Sequence, residues 1–546
     1  MKKLVLVLLM VFTISLSSCT ADGLFCNINP DLEMCYQEYT PITDDTEGII
    51  QSLGVLNIID SAEDFDLSLQ TLHTFRHLDN EDILYVDIQE FLYVLQDALV
   101  YYQVTTTDTI EITYIINYSG NIFGGYEYSL VIDPVENTIY YNDFNFGGNF
   151  NSSSNIDYDS DLNVVDNEYI EGDVTKTIDL DDYDITIAKE EEVFFIPLYL
   201  ANMLFTGDYL NVYQSGNNLY VVDDFYANED IINTNDLGVE MNEQNIIRNT
   251  VNYTALFFDY YYGLKDFLGI TSFKEELTTR GFYDAQSLVE LDVLLQEFMF
   301  SLNDLHSSIV AFGYNSDAVQ TVMPPDDNKL WDLYDVYLSD ECLDRTGEFN
   351  FTEYDEYYIL ELNEFTLDTL EYMQNAFVDI DATKPIYIDL ACNVGGNLVA
   401  VFEVLMYMTN DPVDFRYTNP STGEIYVESY QLDTGRAVTN DFYIFTSAAT
   451  FSAANLTASM ARDNALAMIL GTHTSGGACS IIYTVLPNNM VLTHSSQFAM
   501  IDKDNLLIEA GLAPDYMIDY SISLEETLEH IYLDIGADVF YGVTEE

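Results

Sequence analysis

Two turns in the second half of the sequence combine residue types that could carry out acyl-transfer chemistry. The first, which we call the glycine turn (residues 389–397), follows a buried apolar run and contains Gly395 and Gly396 just before a helical stretch. Bare backbone N–H groups at a helix N-terminus favour negative charge, which suits the oxyanion of a reacting carbonyl. A tight turn that binds nothing remains the simpler interpretation of this segment taken alone.

The second, which we call the serine turn (residues 446–455), is rich in small residues and leads into a helical stretch that starts at Ser452. A hydroxyl at that position lies in the positive end of the helix dipole, which favours an alkoxide-like nucleophile. A serine that only caps the helix is a common alternative, and a nucleophile also needs a base.

The elements around these turns alternate between strand and helix. Apolar runs predict strands at 357–362, 385–390, 442–446 and 467–471 and helices at 367–377, 398–408 and 452–462. This order indicates a largely parallel sheet with helical crossovers. Upstream, alternating segments such as 109–116 and 126–132 predict a β-rich region, and helical spacing predicts buried helices at 194–205 and 256–268 and an amphipathic helix at 285–302.

Five segments, in order over about residues 300–520, resemble the tail-specific, or C-terminal processing, serine peptidase family. In this sequence they read Leu302-Asn303-Asp304-Leu305-His306-Ser307, Asp389-Leu390-Ala391-Cys392-Asn393-Val394-Gly395-Gly396, Ser452-Ala453-Ala454-Asn455, Gly471-Thr472-His473-Thr474-Ser475-Gly476-Gly477 and Gly511-Leu512-Ala513-Pro514-Asp515. The stretch 262–270 also resembles the helical region that precedes the core in some members. The resemblance implies an α/β protease core of strand–helix–strand units (crotonase-like ββα), preceded by a helical segment and an N-terminal β-rich domain.

The resemblance also implies roles for individual residues. Members with a Ser–Lys dyad carry their Lys where this sequence has Gly477, so Ser452 would instead use His306, as in the branch that resembles the tricorn core protease. The N–H groups of Gly396, with Gly395 as the alternative, and of Ala453 would hold the oxyanion.

A Glu in the closing segment would orient the base in such a site. Glu509 is the nearest candidate, although it lies one residue out of register. His306 could instead be a packed histidine without a catalytic role, and His473 and His494 are further candidates for the base because sequence cannot show which side chains meet.

Other departures from the family pattern affect the support of the site. Ala391 replaces the family's Arg, and Asn455 replaces its Glu after the nucleophile. The stretch between His306 and Phe351 is too short for the PDZ domain that some members insert. We expect Cys392 and Cys479, in or near the motifs, to be small buried hydrophobic residues rather than nucleophiles.

The first nineteen residues predict an export signal. Two lysines precede an apolar run at 4–16, which is too short for a lasting membrane span and ends in Leu16-Ser17-Ser18-Cys19. This pattern resembles a bacterial lipobox, which would make Cys19 the acylated N-terminus of a protein held outside the cell membrane by lipid. An ordinary secretory signal is the alternative. Cys26 and Cys35 could pair in an oxidising exterior or remain free thiols.

Composition excludes several classes of protein. The 546 residues include 93 Asp and Glu against 16 Lys and Arg, a formal charge of −77, and 48% are hydrophobic. Such a chain can bury a core but lacks the clustered basic residues that nucleic acids need. We expect no metal or cofactor; Asp157, Asp159, Asp161 and Glu168 fall on a calcium-loop spacing, but a solvated acidic loop is preferred because the turn glycine is missing.

The sequence therefore predicts a signal peptide (1–18), a tether (19–45), a β-rich domain (46–190), a helical region (191–300), a peptidase core (301–520) and a C-terminal tail (521–546). The expected function is a serine-type endopeptidase or carboxyl-terminal-processing peptidase that acts on proteins or peptides outside the cell membrane. One alternative is a lapsed enzyme that binds peptides or another extracellular ligand. The other is an adhesion or nutrient-binding protein in which the front half binds the partner.

Overall fold

The computed structural model describes residues 48–518, apart from 63–66, 117–125, 148–149, 151–161, 207–209, 224, 226–240, 315–320 and 433–434. The described part of the front region is mostly strand. In chain order its strands are β1 (Ile50–Asp60), β2 (Thr71–His77), β3 (Asn80–Asp87), β4 (Tyr102–Thr106), β5 (Ile110–Ile116), β6 (Tyr126–Asp133), β7 (Thr138–Tyr141), β8 (Asn163–Ile170), β9 (Lys176–Asp179), β10 (Ala188–Glu190), β11 (Val193–Pro197), β12 (Asn211–Ser215) and β13 (Asn218–Val222). Helices α1 (Ile88–Val94) and α2 (Leu198–Phe205) lie among them.

Twelve of these thirteen strands form two sheets because their apolar residues alternate, whereas β8 pairs with a strand from the second half of the chain. One sheet has seven strands in the order β10-β11-β3-β2-β1-β13-β12, and the other has the order β4-β5-β6-β7-β9. In the second sheet Tyr114 of β5 lies opposite Tyr128 of β6, and their stacked rings have centroids 5.0 Å apart. Such cross-strand aromatic pairs stabilise a sheet by about 0.2–1 kcal/mol each. The strands predicted at 109–116 and 126–132 are thus present.

The predicted buried helix over 194–205 is wrong in its first half. Residues 193–197 form strand β11, which pairs with β3, and the helix α2 starts only after Pro197. Proline cannot donate the backbone hydrogen bond that a continuing helix needs, but it suits a helix N-terminus. All eight residues of α2 are buried.

Three helices follow: α3 (Glu243–Tyr260), α4 (Phe273–Thr279) and α5 (Leu288–Ser301). The prediction of a helix over 256–268 is wrong beyond Tyr260. A Cβ on Gly263 would lie 2.2 Å from the carbonyl oxygen of Ser496, so the chain turns there against a neighbouring strand. The predicted amphipathic helix is α5, which begins where Ser287 accepts a hydrogen bond from the N–H of Glu290.

The second half starts with β14 (Ser308–Ala311), α6 (Lys329–Tyr337) and α7 (Asp340–Leu343). We call residues 321–348 the connecting segment. The remaining elements are β15 (Phe349–Glu353), β16 (Tyr358–Leu362), α8 (Thr369–Ala376), β17 (Ile386–Asp389), α9 (Leu398–Leu405), β18 (Val413–Asn419), β19 (Glu424–Gln431), β20 (Phe442–Thr446), α10 (Ala453–Asp463), β21 (Ala467–Gly471), β22 (Cys479–Val485), β23 (Val491–Met500) and β24 (Tyr516–Met517).

The strand–helix–strand core has the α/β arrangement that the sequence predicts. Its six-stranded sheet has the order β15-β16-β17-β20-β21-β24, in which every pair except β15–β16 is parallel. Asp389 at the end of β17 lies beside Phe445 near the end of β20. Because the carboxyl ends of parallel strands meet at one edge of a sheet, the glycine turn and the serine turn lie next to each other.

A further six-stranded sheet links the front region to this core. Its path is β14-β23-β18-β19-β8, with β22 also paired to β23. Strand β14 begins two residues after His306, whereas β8 comes from the front region and pairs with β19. Among the helices described by the structure, none is long and apolar enough to cross a membrane.

Candidate active site

Ser452 and His306 lie within hydrogen-bond distance of each other. The Ser452 Oγ and His306 Nε2 atoms are 3.0 Å apart, although 146 positions separate the two residues in sequence. Ser452 stands between β20 and α10 with φ 52° and ψ −123°, a conformation that costs a non-glycine residue about 1–3 kcal/mol. Its side chain makes no capping bond to the backbone of α10, the helix it precedes. The hydroxyl therefore points at the imidazole rather than capping the helix.

Backbone and side-chain hydrogen bonds fix the serine turn against the glycine turn. The Phe451 N–H donates to the carbonyl of Asn393 at 3.2 Å, and the Thr450 hydroxyl donates to the carbonyl of Leu390 at 2.8 Å. A Cβ on Gly395 would lie 2.7 Å from the Ser452 Cβ, so this position has room for glycine alone. The strained conformation of Ser452 is held by these contacts.

His306 lies in a loop that its own neighbours shape. The loop follows α5, and the Asp304 carboxylate accepts hydrogen bonds from the His306 N–H at 2.9 Å, the Ser307 hydroxyl at 2.6 Å and the Tyr262 hydroxyl at 3.1 Å. The imidazole packs against the Phe451 ring with centroids 4.6 Å apart. Tyr262 comes from the stretch 262–270 that the sequence pointed to.

The electrostatic environment keeps His306 neutral. The residue is only 1% exposed, and burial lowers the pKa of its imidazole to about 4. The nearby Asp304 carboxylate opposes that shift, and the ammonium of Lys329 adds to it. A neutral imidazole can accept a proton from Ser452. Its second nitrogen, Nδ1, is buried without a hydrogen-bond partner among the described residues.

The glycine turn presents one free N–H group beside Ser452. The Gly395 N–H donates to the side chain of Asn393 at 2.8 Å and is therefore occupied. The N–H groups of Gly396 and Ala453 have no hydrogen-bond acceptor in the part of the chain that the structure describes, and both residues line the pocket at Ser452. Gly396 lies with φ 129° against Phe365, whose carbonyl oxygen would be 2.1 Å from a Cβ. Of the two glycines, Gly396 has the available donor.

The pocket at this site has a volume of about 320 Å³ and is mostly apolar. His306, Ser452, Gly396 and Ala453 lie on its wall. Its remaining lining residues include Val394, Leu398, Phe451, Leu456, Ile481 and Met500. A pocket of this size and chemistry fits an apolar side chain.

Glu509 does not contact His306 as the sequence predicted. Its carboxylate pairs with the ammonium of Lys329 and accepts the N–H groups of Gly477 at 3.2 Å and Ala478 at 2.9 Å. Burial raises the pKa of Glu509, and the charge of Lys329 opposes that rise. The expectation that Glu509 orients the base directly is therefore corrected, because its oxygens are bound to other groups.

A lysine at position 477 would not fit this backbone. Gly477 has φ 91°, and a Cβ there would lie 2.9 Å from the backbone of Ser452 and 2.7 Å from the Phe451 ring. The close approach of this segment to the serine turn therefore excludes a lysine at position 477 in this backbone conformation.

The alternative bases lie elsewhere. The ring Nδ1 of His473 bonds to the carbonyl of Thr474, and buried His494 bonds to the Thr484 hydroxyl and to the carbonyl of Ser495. Within the described residues, His306 alone of the three histidines contacts Ser452.

Two features of the connecting segment were missed by sequence reasoning. Cys392 forms a disulfide with Cys342 and is not a free buried thiol, whereas Cys479 is free and buried. The guanidinium of Arg345 binds the carboxylate of Asp389 at 2.8 Å, which gives the glycine turn an arginine from elsewhere in place of Ala391. The sequence signal for the Arg345 contact was the rarity of basic residues in so acidic a chain. That rarity does not identify which carboxylate the arginine binds.

Several predicted features lie outside the described residues. These are the lipidation candidate Cys19, the pair Cys26 and Cys35, and the three Asp residues of the calcium-loop spacing. Glu168, the last member of that spacing, lies in strand β8.

Comparisons with known proteins give the following similarities. A family model described as Peptidase family S41 matches residues 357–518. Among solved structures, the chain is similar to the tricorn protease (12% identity, 90% of this chain and 63% of that one, TM-score 0.35). It is also similar to mature CPAF (10%, 54% and 97%, 0.39) and to the photosystem II D1 C-terminal processing protease (17%, 36% and 54%, 0.28). A search of curated proteins finds no match.

Proposed function

We propose that the chain cleaves peptide bonds through an acyl-enzyme on Ser452, because residues 357–518 match the model of peptidase family S41, a family of serine peptidases. The observation that carries the proposal is the 3.0 Å approach of His306 Nε2 to Ser452 Oγ. A nucleophile and base at this distance, beside two free N–H groups, are the minimum arrangement for acyl transfer.

In the first half-reaction Ser452 Oγ attacks the scissile carbonyl while His306 Nε2 takes its proton. The negative charge that develops on the carbonyl oxygen is stabilised by the N–H groups of Gly396 and Ala453. Collapse of the tetrahedral adduct breaks the C–N bond, and His306 returns the proton to the leaving amine. The products are an ester on Ser452 and the released amine fragment.

In the second half-reaction water attacks the ester carbonyl. His306 takes a proton from that water, and the same two N–H groups hold the second oxyanion. Collapse breaks the ester bond, and His306 returns the proton to Ser452 Oγ. For both steps the Nε2 atom must start unprotonated, which the burial of His306 favours.

The pocket beside Ser452 indicates which substrate side chain the site would prefer. Its apolar lining favours an apolar side chain next to the scissile carbonyl, in a peptide that adds as an extended strand beside the core sheet. Since the formal charge of the chain is −77, neutral or basic peptides should approach faster than acidic ones. Matched Lys-rich and Glu-rich peptides that are cleaved at equal rates at low salt would contradict this. Both internal cleavage and removal of C-terminal segments remain within the proposal.

The deciding experiment is labelling of the purified chain with a fluorophosphonate, followed by intact mass and peptide mapping. Wild type, Ser452→Ala, His306→Ala and the control Ser480→Ala, whose side chain belongs to the same pocket, are compared. We expect one adduct on Ser452 in wild type and in Ser480→Ala, and none in the other two. An adduct that survives in His306→Ala would reject His306 as the base.

A peptide-binding protein without activity is the second candidate. The buried Nδ1 atom of His306 has no partner among the described residues, and an orienting group on that atom is what supports the imidazolium in a serine peptidase. A folded wild type that takes no label but binds apolar peptides with micromolar affinity would favour this function.

For location, we propose that the chain acts outside the cell membrane, held by a lipid on Cys19. The sequence Leu16-Ser17-Ser18-Cys19 after an apolar run supports this. Mass analysis of the mature N-terminus tests this proposal. In wild type we expect a diacylglyceryl group on Cys19. In Cys19→Ala we expect no lipid and release of the protein from the membrane. A soluble wild type with an unmodified N-terminus would contradict the proposal.

A further inference from the structure

The connecting segment brings one lysine into the neighbourhood of the serine turn. Lys329 is the first residue of α6, and its N–H donates to the Asn303 side chain at 2.9 Å. The preceding Asn328 donates to the carbonyl of Phe300 at 2.8 Å and accepts from the Leu330 N–H at 2.9 Å. These bonds attach the start of α6 to the end of α5, directly before the His306 loop.

The ammonium of Lys329 reaches a buried carboxylate. The side chain of Glu509 is 1% exposed and pairs with Lys329, which also lies 3.5 Å from the carbonyl oxygen of Ser475. The other Glu509 oxygen accepts the N–H groups of Gly477 and Ala478. A carboxylate buried this deeply stays ionised only when a cation and hydrogen-bond donors compensate it.

The backbone that Glu509 holds is the one that supports Ser452. The Ser452 N–H donates to the carbonyl of Gly476 at 2.9 Å, and Phe451 forms a parallel bridge with Gly476. Gly477 lies so close to Ser452 that even a Cβ would not fit. Contacts thus run from Lys329 through Glu509 and residues 475–478 to Ser452.

We propose that Lys329 is a positioning residue for Ser452, and that it acts by keeping Glu509 ionised so that one carboxylate oxygen holds both N–H groups of residues 477–478. This inference rests on the proposed function of Ser452. Without Lys329 the burial-induced rise in the Glu509 pKa would be larger, so the carboxyl would stay protonated to a higher pH. A protonated carboxyl accepts more weakly, so the support of Ser452 would loosen.

The charged and titratable groups near Glu509 come from several elements. Lys329 of α6 opposes the burial-induced rise in the Glu509 pKa, whereas Asp304, from the loop after α5, adds to it. The Cys479 thiol of β22 also lies near; burial and the charges of Glu509 and Asp304 raise its pKa, so it stays neutral. Lys329 is the cation among these groups, and its loss is therefore not compensated by them.

The test compares the rate of fluorophosphonate labelling of Ser452 from pH 5 to pH 9. The variants are Lys329→Met, Lys329→Arg, Glu509→Gln and the double variant Lys329→Met/Glu509→Gln. The control is Lys384→Met, which breaks an exposed ion pair with Glu353. We expect Lys329→Met to label about tenfold or more slowly at pH 7 and to recover as the pH rises. Lys329→Arg and Lys384→Met should stay close to wild type.

The double variant separates this role from a merely structural one. Because the neutral amide introduced by Glu509→Gln needs no counter-charge, Lys329→Met should add little loss to Glu509→Gln between pH 7 and pH 9. This range lies well above the His306 pKa of about 4, which the Lys329 charge also helps to lower. Equal rates and pH profiles for Lys329→Met and wild type would overturn the inference, as would a full additional loss in the double variant. If Lys329→Met fails to fold, the comparison of Glu509→Gln with the double variant still shows whether Lys329 acts through the charge of Glu509.

Hydrogen exchange gives a readout that does not depend on activity. The amides of Gly477 and Ala478 should exchange faster in Lys329→Met than in wild type or Lys384→Met. Unchanged exchange would overturn the inference even if labelling fell. If wild type takes no label at all, the proposed function fails, whereas the exchange experiment still tests the link from Lys329 to residues 477–478.

Discussion

Breaking the Cys342–Cys392 disulfide should lower the free energy of unfolding and slow the reaction at Ser452. The bond closes a loop with a sequence separation of 50 residues. For a loop of this length the chain-entropy model gives a stabilisation of about 4 kcal/mol. Cys392 lies within the glycine turn and Cys342 in α7 of the connecting segment, so the same bond limits the movement of both.

Arg345 limits how far the glycine turn can move when the disulfide is broken. Arg345 stays bound to Asp389, whose other oxygen accepts the Ala391 N–H at 2.9 Å. We therefore expect the turn to loosen but not to unfold, which predicts slower labelling of Ser452 rather than its loss. The free energy of unfolding should fall by up to the full entropic amount.

The assay is urea unfolding followed by circular dichroism, with and without a thiol reductant, beside labelling of Ser452. Cys342→Ala/Cys392→Ala should match reduced wild type and should not respond to reductant. Cys479→Ala keeps the bond and should respond as wild type does. If mass analysis shows the bond reduced while the urea midpoint stays unchanged, the reasoning from loop closure is refuted.

Three further outcomes are expected. Burial raises the pKa of Glu428 to about 7. Since an unfolded Glu ionises near pH 4.5, the free energy of unfolding should fall by about 3 kcal/mol as the pH rises from 4.5 to 7. Calorimetry should find Glu428→Gln more stable than wild type at pH 8 and equal to it at pH 4.5. A difference in stability that does not change with pH would contradict this. Labelling of Ser452 should rise with pH through the His306 pKa of about 4 and be flat by pH 6; a limb near 6.5 would show an ordinary histidine. Gly395→Ala should slow labelling about 100-fold, because its methyl group would displace Ser452; wild-type labelling would rule out that close approach.

The core could be predicted from the sequence because its signals are local. Strands such as Phe442–Thr446 are short apolar runs that end at small residues. The three predicted core helices, α8, α9 and α10, begin within a few residues of their predicted starts. The helix predicted over residues 194–205 was wrong in its first half because a buried strand and a buried helix have the same apolar composition. Only Pro197 marks the boundary between them. The prediction that the helix continues beyond Tyr260 was wrong because the turn at Gly263 is set by contact with a strand that is distant in sequence.

At the site, the sequence predicted which residue types meet but not all of their partners. His306 and Ser452 could be paired because both fall in family-like segments. The partner of Glu509 could not be predicted, since Lys329 lies outside the five family-like segments and is separated from Glu509 by 180 positions. The same holds for Arg345 and Cys342, whose contacts arise only when the connecting segment folds against the glycine turn.

The pairing of β8 with β19 bears on how the protein can be dissected. If residues up to 190 were removed, β19 (Glu424–Gln431) would become an open edge, with a row of backbone donors and acceptors exposed to water. The buried Glu424 would also lose its bonds to Asn145 at 2.8 Å and Tyr169 at 2.6 Å. A core fragment prepared without the front region would therefore tend to self-associate by strand addition at this edge, and its failure to react would say nothing about Ser452.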